Sequence, residues 1–246
     1  MNFSSKLLWL SLLLPIAASA QTFNMAMDQN LPAWNPCVLP NCDPGGLGLP
    51  TRFSITEDES TRSPVPLRLS VTGPAWTNFL AWDKVGATSA TYFNSDFWEL
   101  VPKASQSNTQ ALEYDIFQFQ SPYEFMFGSE CVIGAKWQIW DHLHGQWLDT
   151  TRDCSMDFGV WHHIQWWTHR VDGDTSCEGY PCMYYDMLGV DGVYTQFATT
   201  EPAGPIPAGW SNNSGLNFQL DRNGETLKNA TIVEYIKNVN LTELGN

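Results

Sequence analysis

From Leu67 onward the chain is a succession of short runs in which apolar and polar positions alternate, separated by Gly, Pro, Asn and Asp. Alternation with a period of two is the mark of a strand with one buried face, and turn residues between such runs mark hairpins. The pattern predicts strands over 68–71, 79–82, 90–100, 112–119, 123–127, 136–141, 161–169, 183–190, 216–220 and 231–239. No run of ten or more residues keeps a convincing helical period, and no segment repeats at 20–50 residues. The expected class is all-β: a sandwich of two antiparallel sheets.

Side chains two apart on a strand share a face. Trp161, His163, Gln165, Trp167 and His169 therefore lie on one face of their strand, opposite His162, Ile164 and Trp166. Glu113 and Asp115 share a face, as do Asn217, Gln219 and Asp221. Gln138 and Trp140 share one, alternating with Trp137 and Ile139. If these rows belong to one sheet, they form a single polar and aromatic surface, with Trp161, His163 and Gln165 beside Glu113 and Asp115. A merely solvated face would be rich in Lys, Glu, Thr and Ser. Only 15% of residues are charged while 12 are Trp, which favours a binding face. Indole stacks on the apolar C–H faces of sugar rings and offers an N–H donor. The expected ligand-binding set is Glu113, Asp115, Gln138, Trp140, His163, Gln165, Trp167, Asn217 and Gln219.

The first 20 residues predict an export signal. Lys6 precedes the apolar run Leu7–Ala17, and Ala18-Ser19-Ala20 gives the small-x-small cleavage pattern. The apolar run is shorter than the ~20 residues that a spanning helix needs, so no membrane insertion is expected. Residues 21–66 are rich in Pro, Gly and Asn and read as an irregular N-terminal arm; 67–246 read as the sandwich domain. Removal of residues 1–20 takes away Lys6 and leaves 11 basic against 26 acidic residues, a net charge of −15. Such a chain repels nucleic acid and acidic polymers, so the expected partner is a neutral polysaccharide or glycan met in a secreted, extracellular or periplasmic setting.

Six cysteines follow the signal, and an even count in an exported chain points to disulfides, with zinc as the alternative. Fifteen pairings exist. Cys37–Cys42 and Cys177–Cys182 can close as small loops, leaving Cys131–Cys154. Neither a cofactor nor a metal site is assigned. Asp172-x-Asp174 has the ligand type that suits Ca²⁺, and His142-x-His144 beside Asp141 could serve a transition metal. An Asp/Gly turn and a pair of loop histidines read equally well.

Trp161-His162-His163-Ile164, followed by Tyr185 and Val190-Asp191-Gly192-Val193, resembles the laminin-G and pentraxin pattern. The resemblance implies a concanavalin A-like jelly roll whose last strand returns beside the first ones. From Trp34 to Leu241, the succession Leu112–Asp115, Phe127–Cys131, Trp137–Asp141, Cys154, Trp161–His163 and Asn217–Asp221 is similar to a group of exported bacterial proteins. That likeness implies the same fold, export and the Cys131–Cys154 bridge, and it supplies no activity. Glu113-Tyr114-Asp115-Ile116-Phe117-Gln118 resembles the catalytic strand of laminarinase-type glycoside hydrolases, in which the first Glu is the nucleophile, the Asp orients it and a last Glu is the acid/base. Here Phe117 or Gln118 stands in the last place, and Gln cannot donate and later accept a proton. Either Glu99, Glu124 or Glu130 substitutes, or the strand binds sugar without cleaving it. The leading expectation is a carbohydrate-binding, lectin-like protein. The alternatives are a glycan-cleaving enzyme using Glu113 and Asp115, and a cell-surface or matrix interaction protein.

Overall fold

The computed structural model describes residues 20–24, 33–37, 51–58, 64–225 and 228–245. The proposed signal, apart from Ala20, and Cys42 lie outside them. Sixteen strands and no α-helix are present among the described residues.

One sheet contains β3 (Arg52–Glu57), β4 (Leu67–Gly73), β16 (Ala230–Leu244), β6 (Tyr92–Leu100), β11 (His162–Arg170), β12 (Cys182–Val190) and β13 (Val193–Pro202), in that spatial order, with β1 (Ala20–Asn24) also paired to β16. The other contains β2 (Asn35–Cys37), β5 (Asn78–Gly86), β15 (Asn213–Arg222), β7 (Thr109–Gln120), β8 (Tyr123–Val132), β9 (Lys136–Asp141) and β10 (Gln146–Asp153), with β14 (Gly204–Pro205) paired to β8. These are called sheets A and B below. Every pairing is antiparallel, and the last strand returns between early ones. This is the concanavalin A-like jelly roll. Within the N-terminal arm, β1 and β3 extend sheet A and β2 extends sheet B.

The core lies between the sheets. Phe97 of sheet A packs on Tyr114 and Phe218 of sheet B, and Phe93 on Phe127, all at most 2% exposed. The long strand β16 keeps its apolar side inward by a change of parity. Ile232 and Ile236 are buried before Asn238, and Val239 and Leu241 after it. Asn238 has φ 51°, and the pairing with β6 shifts there. A one-residue slip flips all later side chains unless a bulge restores them, and Asn is among the residues that tolerate positive φ. Two disulfides fasten the edges. Cys131–Cys154 ties β8 to the chain leaving β10, and Cys177–Cys182 closes the loop into β12.

Candidate functional site

The expectation that all the polar rows share one surface is overturned. β7 pairs with β8 and β15, whereas β11 pairs with β6 and β12. Glu113 and Asp115 therefore leave the outer face of sheet B, while His163, Gln165 and Trp167 leave the outer face of sheet A. Alternation reports which residues share a side of their own strand; it says nothing about which sheet the strand joins.

On sheet A the outer face is built by β6, β11, β12 and β13. His163 Nε2 donates to Asp96 Oδ1 at 2.8 Å, and Gln165 Nε2 donates to Asp96 Oδ2 at 2.7 Å. Tyr194 donates its hydroxyl to Gln165 Oε1 at 3.0 Å. The His163 ring stacks on Trp98 with centroids 4.8 Å apart. Lys237 Nζ sits 3.9 Å from the ring centre of Trp161, which flanks the same end; burial lowers its pKa. At the other end, His169 lies between the rings of Tyr92 and Tyr184, with centroids at 5.6 and 4.4 Å, and its Nδ1 donates to Asp186.

Asp186 lies at a bulge, on the same face as Tyr184. Thr168 pairs with Tyr185 and Trp167 with Met187, so Asp186 has no residue opposite it on β11. Burial and the Asp186 carboxylate together raise the Tyr92 pKa. Beside this group, Tyr92, Trp167, Asp186, Met187, Gln196 and Phe197 line a hollow of about 580 Å³. His163, Gln165, Trp167 and His169 are each half-buried. The Val190-Asp191-Gly192 motif holds the adjoining hairpin. Asp191 and Gly192 take φ 52° and 77°, and Asp191 accepts hydrogen bonds from the His163 amide and His162 Nδ1. Burial alone would raise the Asp191 carboxyl, but these bonds outweigh it and hold the pKa below its ordinary value.

On sheet B the outer face carries Glu113, Asp115, Gln138, Trp140, Asn217 and Gln219, together with Glu130 and Asp221. Gln219, Glu113, Glu130, Gln138 and Asp149 stand side by side across five strands. Gln219 Nε2 donates to Glu113 Oε2 at 2.5 Å, Asn217 Nδ2 to Asp115 Oδ2 at 2.6 Å, and Gln138 Nε2 to Asp149 Oδ1 at 2.6 Å. Trp140 packs on Trp147, with centroids 5.0 Å apart. Asp115, Asn217, Gln219 and Glu130 are all buried, at 3–6% exposure. Burial, then the neighbouring carboxylates Asp115, Asp221 and Glu130, push Glu113 well above the usual carboxyl range. Burial, Asp221 and Asp115 push Glu130 to about 8.

β7 is regular over this stretch, which places Phe117 on the outer face after Asp115. Gln118 points between the sheets, where its amide donates to the Thr88 and Ala90 carbonyls and accepts from Arg170 Nε. Of the acids that could stand in for it, Glu99 is enclosed in the core and Glu124 lies near His142. Glu130 is directly opposite Glu113. The other metal candidates are engaged elsewhere. Asp172 binds Arg170, Asp174 accepts from Tyr184 and Ser176, and His144 binds Asp141. The sequence reading missed Tyr92, Asp96, Asp186 and Tyr194. Asn94-x-Asp96-x-Trp98 within the 90–100 strand carried the signal for Asp96; a bulge such as that at Asp186 has no comparable signature.

No family model and no curated protein matches the sequence. Solved structures do match the fold. An alginate lyase, vAL-1, from a Chlorella virus is 11% identical, with a TM-score of 0.50 over 89% of this chain and 98% of that one. Alginate lyase Aly36B is 11% identical with a TM-score of 0.49 over 91% and 96%. Basic winged bean lectin with Tn-antigen is 9% identical with a TM-score of 0.48 over 93% and 100%. Among the described residues, no helix is long and apolar enough to cross a membrane.

Proposed function

We propose that the outer face of sheet A binds a neutral glycan, and that the protein is a secreted, lectin-like sandwich. The observation that carries this reading is the hollow of about 580 Å³ beside an ordered polar ladder. Its size falls in the range of ligand sites. Trp167 and Tyr92 give aromatic surface for sugar rings. Asp96, Asp186 and the Gln165 amide are oriented by their own hydrogen bonds, so a sugar hydroxyl meets acceptors already in place. Asp96, Asp186 and Asp191 make the face unwelcoming to polyuronates, as does the net charge of −14. The two disulfides suit an oxidising compartment.

A second reading, cleavage of the bound glycan, draws on His163, Gln165 and Tyr194. A ring nitrogen and a phenol on one hydrogen-bonded chain are the group types that move protons on a sugar. Hydrolysis on sheet B by Glu113 and Asp115 would need Glu130, opposite Glu113, as its acid, because Phe117 occupies the next outward place on β7. A panel of neutral polysaccharides tests both readings. Binding by the native protein, lost in Trp167→Ala and His163→Ala, supports the site. Reducing ends released by the native protein but not by His163→Ala or Tyr194→Phe would promote the enzyme. Product release abolished by Glu113→Gln alone would move the chemistry to sheet B.

A further inference from the structure

The outer face of sheet B holds a second arrangement that glycan binding on sheet A does not use. Carboxylate oxygens of Glu113, Glu130 and Asp221, from three adjacent strands, all lie within 4.8 Å of one another. The charged groups that act on Glu113 and Glu130 are all carboxylates, Asp115 included. Glu113 and Glu130 stand directly opposite each other, and acids so paired are held apart by repulsion or neutralised by protons unless a cation joins them; the Gln219 amide, which donates to Glu113 and Asp221, carries no charge.

An independent observation points the same way. Asn78 of β5 is directly opposite Asp221 in the β5–β15 ladder, so the two side chains leave the sheet on the same face. Asn78 is 8% exposed, and its Oδ1 is buried without a hydrogen-bond donor. A buried amide oxygen left unsatisfied is costly, and a cation between it and the acids would satisfy it. The spacing fits. Oxygens bound to one Ca²⁺ at about 2.3–2.6 Å are separated by at most about twice that distance, and 4.8 Å falls inside this limit.

We infer that Glu113, Glu130, Asp221 and the Asn78 carbonyl form a binding site for a hard divalent cation of the calcium type. The donor set is oxygen alone, which suits Ca²⁺ and offers no nitrogen or sulfur to zinc or copper. Glu113 and Asp221 are half-buried, so water can complete the coordination sphere. The site stands apart from the proposed glycan face and does not depend on it.

The test uses the full chain, stripped with EDTA and titrated with CaCl₂ by calorimetry, with the thermal midpoint measured before and after. One site and a rise in the midpoint are expected. Glu130→Gln keeps the shape and removes a charge; Asp221→Asn does likewise. Each should weaken Ca²⁺ binding roughly ten-fold or more, since affinity follows ligand charge. Asn78→Ala leaves all the acids in place and should also weaken it. His163→Ala, on the other sheet, should bind Ca²⁺ as the native protein does. Circular dichroism checks that each variant folds. Should a variant fail to fold, Tb³⁺ luminescence of the native protein excited through its tryptophans, displaced by CaCl₂, supplies the readout; its absence would overturn the site. No heat and no midpoint shift in the native protein would overturn it, as would Ca²⁺ binding that survives in Glu130→Gln/Asp221→Asn.

Discussion

Glu99→Gln tests how the core carries its buried acids. Glu99 and Glu234 face each other between the sheets, at 0% and 1% exposure. The Tyr114 hydroxyl donates to Glu99 Oε2. Burial raises the Glu99 pKa to about 7; the Tyr114 hydroxyl, the adjacent Glu234 carboxyl and the nearby His162 oppose the rise without cancelling it. Burial and the charge of Glu99 raise Glu234 further. The folded protein thus keeps a proton on Glu99 that the unfolded chain releases near its ordinary value of 4.5. The stability contributed by this proton is complete below that value and is lost as pH rises through the window from 4.5 to about 7. A gap of about 2.5 units corresponds to about 3 kcal/mol lost across the window. Glutamine is neutral and of the same shape, still accepts from Tyr114, and can donate to Glu234. Urea denaturation at pH 5, 6.5 and 8 should show the native protein losing stability with pH. Glu99→Gln should show a shallower slope, the rest coming from Glu113, Glu130 and Glu234, and should be the more stable protein at pH 8. Identical slopes in the two proteins would refute the reasoning.

Three further outcomes follow from the packing. Cys131→Ser/Cys154→Ser opens a loop with a sequence separation of 23 and should lower stability by about 3 kcal/mol, read by urea denaturation. Gly215→Ala puts a Cβ 2.0 Å from the Asp83 carbonyl oxygen and 2.7 Å from Phe117. Backbone cannot yield as a flexible side chain can, so a loss of about 3 kcal/mol or a failure to fold is expected, read by thermal melting. Arg170→Met removes donors to Gln118, Gln120 and Asp172 from a side chain at 5% exposure. Asp172 is exposed and water replaces its partner, but leaving Gln118 and Gln120 unmatched should cost about 1–3 kcal/mol, again by denaturation.

The fold was legible because alternation marks strands and the Val190-Asp191-Gly192 hairpin marks their connection. Inward positions such as Tyr114, Ile164 and Trp166 follow directly from it. The site was legible only in pieces. His163, Gln165 and Trp167 were identified as one face of one strand, and so were Glu113 and Asp115. Their separation onto two sheets depends on which strands pair across more than 50 residues of chain, and no local pattern encodes that. Gln118 illustrates the same limit. Counting along the strand leaves open whether a bulge turns it toward Glu113; the regular β7–β8 pairing turns it instead toward Arg170. At Asp186 an extra, unpaired residue stands beside His169, and no local pattern announces it.

The proposed glycan site lies on the outer face of sheet A. Its most direct test is the affinity of the native protein, Trp167→Ala and Gln138→Ala for the tightest neutral oligosaccharide found in the panel, measured by calorimetry. Trp167 lines the hollow on sheet A, and Gln138 lies on the outer face of sheet B. At least about a ten-fold loss is expected in Trp167→Ala, equivalent to ~1.4 kcal/mol, with Gln138→Ala indistinguishable from the native protein. Native-like affinity in Trp167→Ala together with a loss in Gln138→Ala would contradict this placement, and so would the absence of binding by the native protein to every glycan in the panel.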